Sequence, residues 1–216
     1  NYASVSANEV DYFPANNSES ETITITNTPV IATGNVYLPI IIRSGPTNLP
    51  DLVGSFSLSP DKTSYNAGEA VLITAVVTNQ GTAAADGFWV DFYINPSSTP
   101  GVNTRWSDVC SLSPCYGLAW YVPGLGPGQS VTLTSTPGSY AADHSRWPGY
   151  FAGGSSDLYL YVDSWNPTVP TGGVLESNEG NNQAERHGLT VSGLTVTGDE
   201  PLLPEEIPPR PAKLDP

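Results

Sequence analysis

The stretch from Glu69 to Pro96, EAVLITAVVTNQGTAAADGFWVDFYINP, limits most tightly what this chain can fold into. Val71, Ile73, Ala75 and Val77 recur with period two, and Phe88, Val90, Phe92 and Ile94 do the same in the next run. Successive side chains of a strand point to opposite faces, so each run predicts a strand with one apolar face. Asn79-Gln80-Gly81 ends the first strand, because Asn and Gly accept the backbone angles of a turn. No long segment carries the 3.6-residue apolar period of an amphipathic helix. An all-β fold follows, and the stretch contains no obvious catalytic group.

The same reading predicts strands near 51–58, 69–78, 87–95, 116–122, 129–136, 157–163 and 186–196. Ser59-Pro60-Asp61, Asn66-Ala67-Gly68, Gly124 to Gly128 and Gly180-Asn181-Asn182 supply the turns between them. With 21 Gly, 21 Pro and only 13% charged residues, the composition suits many short strands joined by tight turns. The expected architecture is an immunoglobulin-like β-sandwich of about seven strands with extended N- and C-terminal arms. Residues 1–48 read as an extended N-terminal arm with β-prone segments, 49–197 as the sandwich and 198–216 as a Pro/Glu-rich tail. Ser44-Gly45-Pro46-Thr47 reads as the linker between arm and sandwich.

A net charge of −14 with seven Lys and Arg in total leaves no basic patch for phosphates, so nucleic acid and anionic membrane are poor partners. The apolar run Val36 to Ile42 is too short to span a bilayer. The start at Asn1 and the absence of Met read as a mature secreted chain after signal removal, or equally as a fragment. Cys110 and Cys115 are the two cysteines, with neither His144 nor His187 near them in sequence. Zinc normally takes four ligands, so a local disulfide is the better expectation, worth about 2 kcal/mol by loop entropy. Such a bond would imply an exported, oxidising address.

Several pieces appear in a fixed order: Leu49-Pro50-Asp51-Leu52-Val53, Ala67-Gly68-Glu69, Val77-Thr78-Asn79-Gln80-Gly81, Phe92-Tyr93 and Glu176-Ser177-Asn178-Glu179-Gly180-Asn181-Asn182. Together they resemble the CARDB family, the cell-adhesion-related immunoglobulin-like domain of bacterial exported proteins, over roughly residues 49–195. The resemblance implies an extracellular or cell-surface sandwich used as a surface, adhesion or spacer module, and no enzyme activity. Insertions near 97–115 and 137–156 and both arms depart from the family pattern.

Four groups of residues invite a functional reading. Asp163, Glu176, Asn178, Glu179 and Asn181 gather oxygen donors between the last two strands, either as a Ca²⁺ site, the one candidate cofactor, or as a hydrogen-bonded turn. Trp89, Tyr93, Tyr159 and Tyr161 project from outer strand faces, with Trp106, Trp120, Trp147 and Trp165 near loops. These aromatics would either stack on surface glycans or a protein partner, or be covered by the two insertions. Asp143-His144-Ser145 has the letters of a hydrolase triad, but contiguous residues do not converge as triad members do. Asn16 begins a glycosylation-type sequon.

The arms form the last group. Ile23 and Ile25 alternate with Thr, and Val36, Leu38, Ile40 and Ile42 lie in a second extended run. Leu72 and Val76 fall on the face opposite Val71 and need a cover. An arm that adds a strand to a neighbour's sheet edge would supply that cover and link copies into a filament or sheath. Arms that wrap their own domain are the alternative. The expected function is therefore a non-enzymatic, self-assembling exported surface protein, with a carbohydrate-binding module and an accessory domain of an extracellular enzyme as rivals.

Overall fold

A computed structural model of the protein describes residues 2–4, 18–20, 48–110, 115–193, 207 and 209–213. The chain divides into two compact units, Asn1–Gly45 and Pro46–Pro216, so the boundary falls inside the expected linker. In the first unit β1 (Tyr2–Ser4) pairs antiparallel with β2 (Ser18–Ser20), a pairing within what reads by sequence as a polar arm. Ile23, Ile25, Val36, Leu38, Ile40, Ile42 and Asn16 lie outside the described residues.

The second unit is a two-layer sandwich. One sheet holds β3 (Leu52–Ser59), β5 (Leu72–Asn79) and β8 (Ser130–Thr134) in the order β3-β5-β8. The other holds β4 (Ser64–Asn66), β6 (Phe88–Ile94), β7 (Gly117–Val122), β9 (Gly154–Val162) and β10 (Gln183–Ser192) in the order β4-β10-β9-β6-β7. All seven expected strands are present, and β4 is an addition that pairs parallel with β10. Its three residues are too short to give a periodic signal.

The alternation of the opening stretch becomes the core. Val71, Ile73, Ala75 and Val77 meet Phe88, Val90, Phe92 and Ile94 across the layers, and all eight are buried. Phe92 stands edge-on to Phe56 of β3, their ring centroids 5.0 Å apart. Gly54 lets side chains of the facing sheet pack against its backbone, since an added Cβ would lie 2.6 Å from Val162 Cγ2 and 2.9 Å from Leu160 Cδ2. Trp120 is corrected from a loop position to a central one: it sits on β7, pairs with Val90 of β6 and is 1% exposed. Trp147 and Phe151 of the second insertion also turn into this core, stacking edge-on at 5.3 Å.

At one end of the sandwich Asn79 replaces an ordinary turn with a polar knot. Its Oδ1 accepts from the Asp51 and Gly81 amides, and its Nδ2 donates to the Ala83 and Leu125 carbonyls. Both side-chain groups are thus satisfied in a fully buried residue. Gly81 is required beside it, since a Cβ there would lie 2.5 Å from the Leu49 carbonyl oxygen.

Removing the Phe92 ring should leave an interlayer void and cost about 3–5 kcal/mol, whereas Leu72→Ser on the solvent face should change stability by less than about 0.5 kcal/mol. Urea unfolding of Phe92→Ala and Leu72→Ser tests this; equal effects would contradict the assigned faces.

Candidate functional site

Strand β6 is buried on both sides over its whole length, which is unusual in a two-layer sandwich. Alternation sends Phe88, Val90, Phe92 and Ile94 inward, so Trp89, Asp91 and Tyr93 form an outer row. Those three are at most 1% exposed, because a second apolar layer covers them. Trp89, Tyr93, Trp106, Ala119 and Tyr159 make up that layer, with Tyr121, Tyr161, Trp165 and Ile207 packed partly buried against it.

The cover comes from the insertions and from the tail. In the first insertion, the single 3₁₀ turn Trp106–Asp108 lays the Trp106 indole against β7, and its Nε1 donates to the His144 carbonyl at 2.8 Å. Gly117 makes room, since a Cβ there would lie 2.3 Å from the Trp106 ring. Cys110 and Cys115 are joined by a disulfide in this insertion. In the second, Ser145 Oγ accepts from the Ala119 amide at 2.9 Å, and the His144 ring stands edge-on to Trp89 at 5.2 Å. His144 and Ser145 are thus parts of the cover. Burial, with the nearby Arg210 charge adding, holds the His144 imidazole below its usual range.

Trp89 and Tyr93 are therefore corrected as glycan contacts: no sugar ring can reach either face. Tyr159 is 8% exposed and faces the His187 ring at 5.4 Å, and Tyr161 is half-buried. Among the expected subunit contacts, Leu72 is 40% exposed and Val76 is half-buried.

Sequence reasoning missed the centre of the outer face. Asp91 is fully buried and receives both terminal nitrogens of Arg210, with Nη2 at 2.9 Å from Oδ1. Ser164 Oγ and the Trp106 amide also donate to this carboxylate. The Arg210 guanidinium lies over Trp89, 4.7 Å from the ring centroid, where the face of the indole attracts a cation. Trp89 Nε1 donates to the Pro211 carbonyl at 2.9 Å and Trp165 Nε1 to the Arg210 carbonyl at 3.0 Å. The signal for this site was a lone Asp inside the apolar run Phe88–Ile94 and a lone Arg inside a run of prolines. A buried carboxylate needs a cation, and few are available in this chain.

The acidic residues form a different structure at the end where Asn79 sits. Asp163 accepts from the Gly173 and Val174 amides at 2.7 and 2.8 Å, a close approach permitted by Gly172 at φ +89°. Glu179 accepts from the Glu176 amide at 2.8 Å, and Asn178 from the Gly180 amide at 3.1 Å. Asn181 Nδ2 donates to Asp51 at 2.8 Å. Glu176 reaches across to accept from the Leu52 amide and, at 2.6 Å, from Asn182 Nδ2. The geometry is that of a hydrogen-bonded turn. Among the described residues no group of three or more His, Cys, Asp or Glu is placed to hold a metal ion. Burial pushes Glu176 up to about 8 and Asp163 up to about 7, against the hydrogen bonds that each accepts.

The family profile of CARDB matches residues 49–186, well over half of the chain. The chain belongs to the CARDB family. Among solved structures, the CARDB domain of a Pyrococcus furiosus protein in complex with di-metal ions is 21% identical, with a TM-score of 0.43, and covers 69% of this chain and 95% of its own. A Methanosarcina acetivorans domain, described as part of a candidate cell surface protein, is 19% identical with a TM-score of 0.40 and covers 69% and 99%. No curated protein matches. Three of the CARDB-like pieces of sequence converge on the polar end. Leu49, Pro50 and Asp51 meet Asn79-Gln80-Gly81 on one side and Glu176 to Asn182 on the other. Those three pieces form a clasp that fastens the first strand of the sandwich to the turns before β6 and β10.

The clasp should weaken as pH rises. Glu176 has an ordinary value of 4.5 and titrates at about 8 when folded, so the folded chain holds an extra proton between those limits. Its stabilising contribution is complete below about pH 4.5 and is lost as pH rises through about 8. Urea unfolding at pH 5 and pH 8.5 should show wild type losing on the order of a few kcal/mol more than Glu176→Gln over that interval. Identical losses would refute the assignment.

Proposed function

We propose that the protein is a non-enzymatic module of an exported surface protein and that copies of it associate through the N-terminal segment. The observation that carries the reading is the use made of the polar residues. Asp91, Ser145, Asp163 and Glu176 are each consumed in holding the cover or the clasp, as expected of a module built to be rigid rather than reactive. The Cys110–Cys115 bond supports an oxidising, extracellular address. The description of the Methanosarcina domain as part of a candidate cell surface protein agrees with that address.

Self-association rests on complementary edges. The three-stranded sheet has β3 and β8 as its outer strands, with Leu72 exposed on its solvent face. The β-prone segments 22–26 and 35–43 are suited to add to such an edge on a neighbouring copy, which would satisfy unpaired backbone groups, and the chain around them would lie against the face that carries Leu72. A head-to-tail contact of this kind that does not close would give a filament or sheath. The glycan reading is not carried forward, because Trp89 and Tyr93 are buried.

Deletion of residues 1–43 should leave a folded monomer, while the full chain forms larger species. Light scattering during size-exclusion chromatography, with electron microscopy of the larger fractions, distinguishes the two. Assembly by the truncated protein would rule out the N-terminal link.

A further inference from the structure

The outer-face groove carries a complete set of contacts for one type of peptide. The Asp91 carboxylate matches the guanidinium fork, and the Trp89 face stacks beneath it. Two indole N–H groups, from Trp89 and Trp165, read the consecutive carbonyls of Pro211 and Arg210. Proline-flanked segments offer carbonyls but few amide hydrogens, so recognition by donors alone suits Pro209-Arg210-Pro211. Beyond them Lys213 lies 3.5 Å from Asp86.

Among the described residues the segment is held as a plug and not as a strand, since its anchors are side-chain contacts with no β-ladder. Its fit in the groove is also incomplete. Arg210 Nε is buried without a partner, a cost that release of the segment would recover. Residues 194–206 join the plug to the end of β10, and when extended they span up to about 45 Å.

We propose that the groove is a receptor for the Pro209–Lys213 segment of a second copy, the segment filling its own groove when a copy is alone. Exchange substitutes identical contacts for identical contacts, so it carries little intrinsic penalty. A tether of this length gives the cis segment an effective concentration of about millimolar, and copies crowded on one surface would approach that value. Reciprocal exchange closes a pair, whereas one-way exchange propagates a chain. The idea rests on the self-association reading only for the source of the segment; the groove chemistry stands apart from it.

The test uses full-length protein. Arg210→Ala vacates the groove, and a labelled peptide of residues 207–213 should bind it at least tenfold more tightly than it binds wild type. The same peptide with alanine for its arginine should lose at least tenfold. These measurements at nanomolar protein do not depend on assembly through the N-terminal segment. If Arg210→Ala does not fold, Arg210→Lys, which keeps a cation for Asp91 but lacks the guanidinium fork and so weakens only the tenant, takes its place. No arginine-dependent binding to a folded variant overturns the receptor. Mixing Arg210→Ala with Asp91→Asn should then give mixed one-to-one pairs in native mass spectrometry well in excess of the pairs that either variant forms with itself. Peptide binding without that excess overturns exchange between copies.

Discussion

A carboxylate in the middle of a strand that has no solvent-facing side must be met by a cation. In this chain the cation arrives from 119 residues downstream. Asp91 lies on the outer row of β6, and everything over that row is arranged around it: Trp106 and Ser164 donate to it, Arg210 pairs with it, and Trp89 supports the guanidinium. Leaving such a charge buried and alone would cost several kcal/mol, so the outer cover and the tail segment depend on one another. The inner core carries no comparable constraint, being filled by aliphatic and aromatic groups that need only fit.

The two insertions and the tail thus turn a sandwich into a three-layer object over one sheet. The consequence for function is a division of labour. The three-stranded sheet keeps an open face with Leu72 on it, while the five-stranded sheet is sealed over β6 and β7 by the chain's own segments. Association that uses the open sheet needs a strand or an apolar cover, whereas association on the sealed side requires one segment to leave before another enters. The disulfide belongs to the sealed side, in the same insertion that positions Trp106.

The clasp at the sandwich end follows a different logic. Asn79 satisfies four backbone groups without any charge, and Glu176 ties the last long loop to the first residue of β3. Burial raises both Glu176 and Asp163, so the clasp holds proton-dependent acids where a turn of neutral amides would have served. The letters Asp, Glu and Asn at that spacing suit a cation site or a hydrogen-bonded turn alike, and their hydrogen-bond partners appear only in three dimensions.

The sequence by itself determined the strands, their inward faces and the family, because period-two alternation is a local property and burial on one side enforces it. Val71 to Val77 and Phe88 to Ile94 could be assigned to the core on pattern alone. The same pattern placed Trp89 and Tyr93 on an outer face, where they are. Whether that face meets solvent, sugar or protein was decided by tertiary structure, since cover is supplied by segments distant in sequence and without periodicity. Arg210 amid prolines carries no local signal of its partner, and Asp91 amid apolar residues announces only that a partner must exist. Charge pairing across 119 residues is a fact of three dimensions.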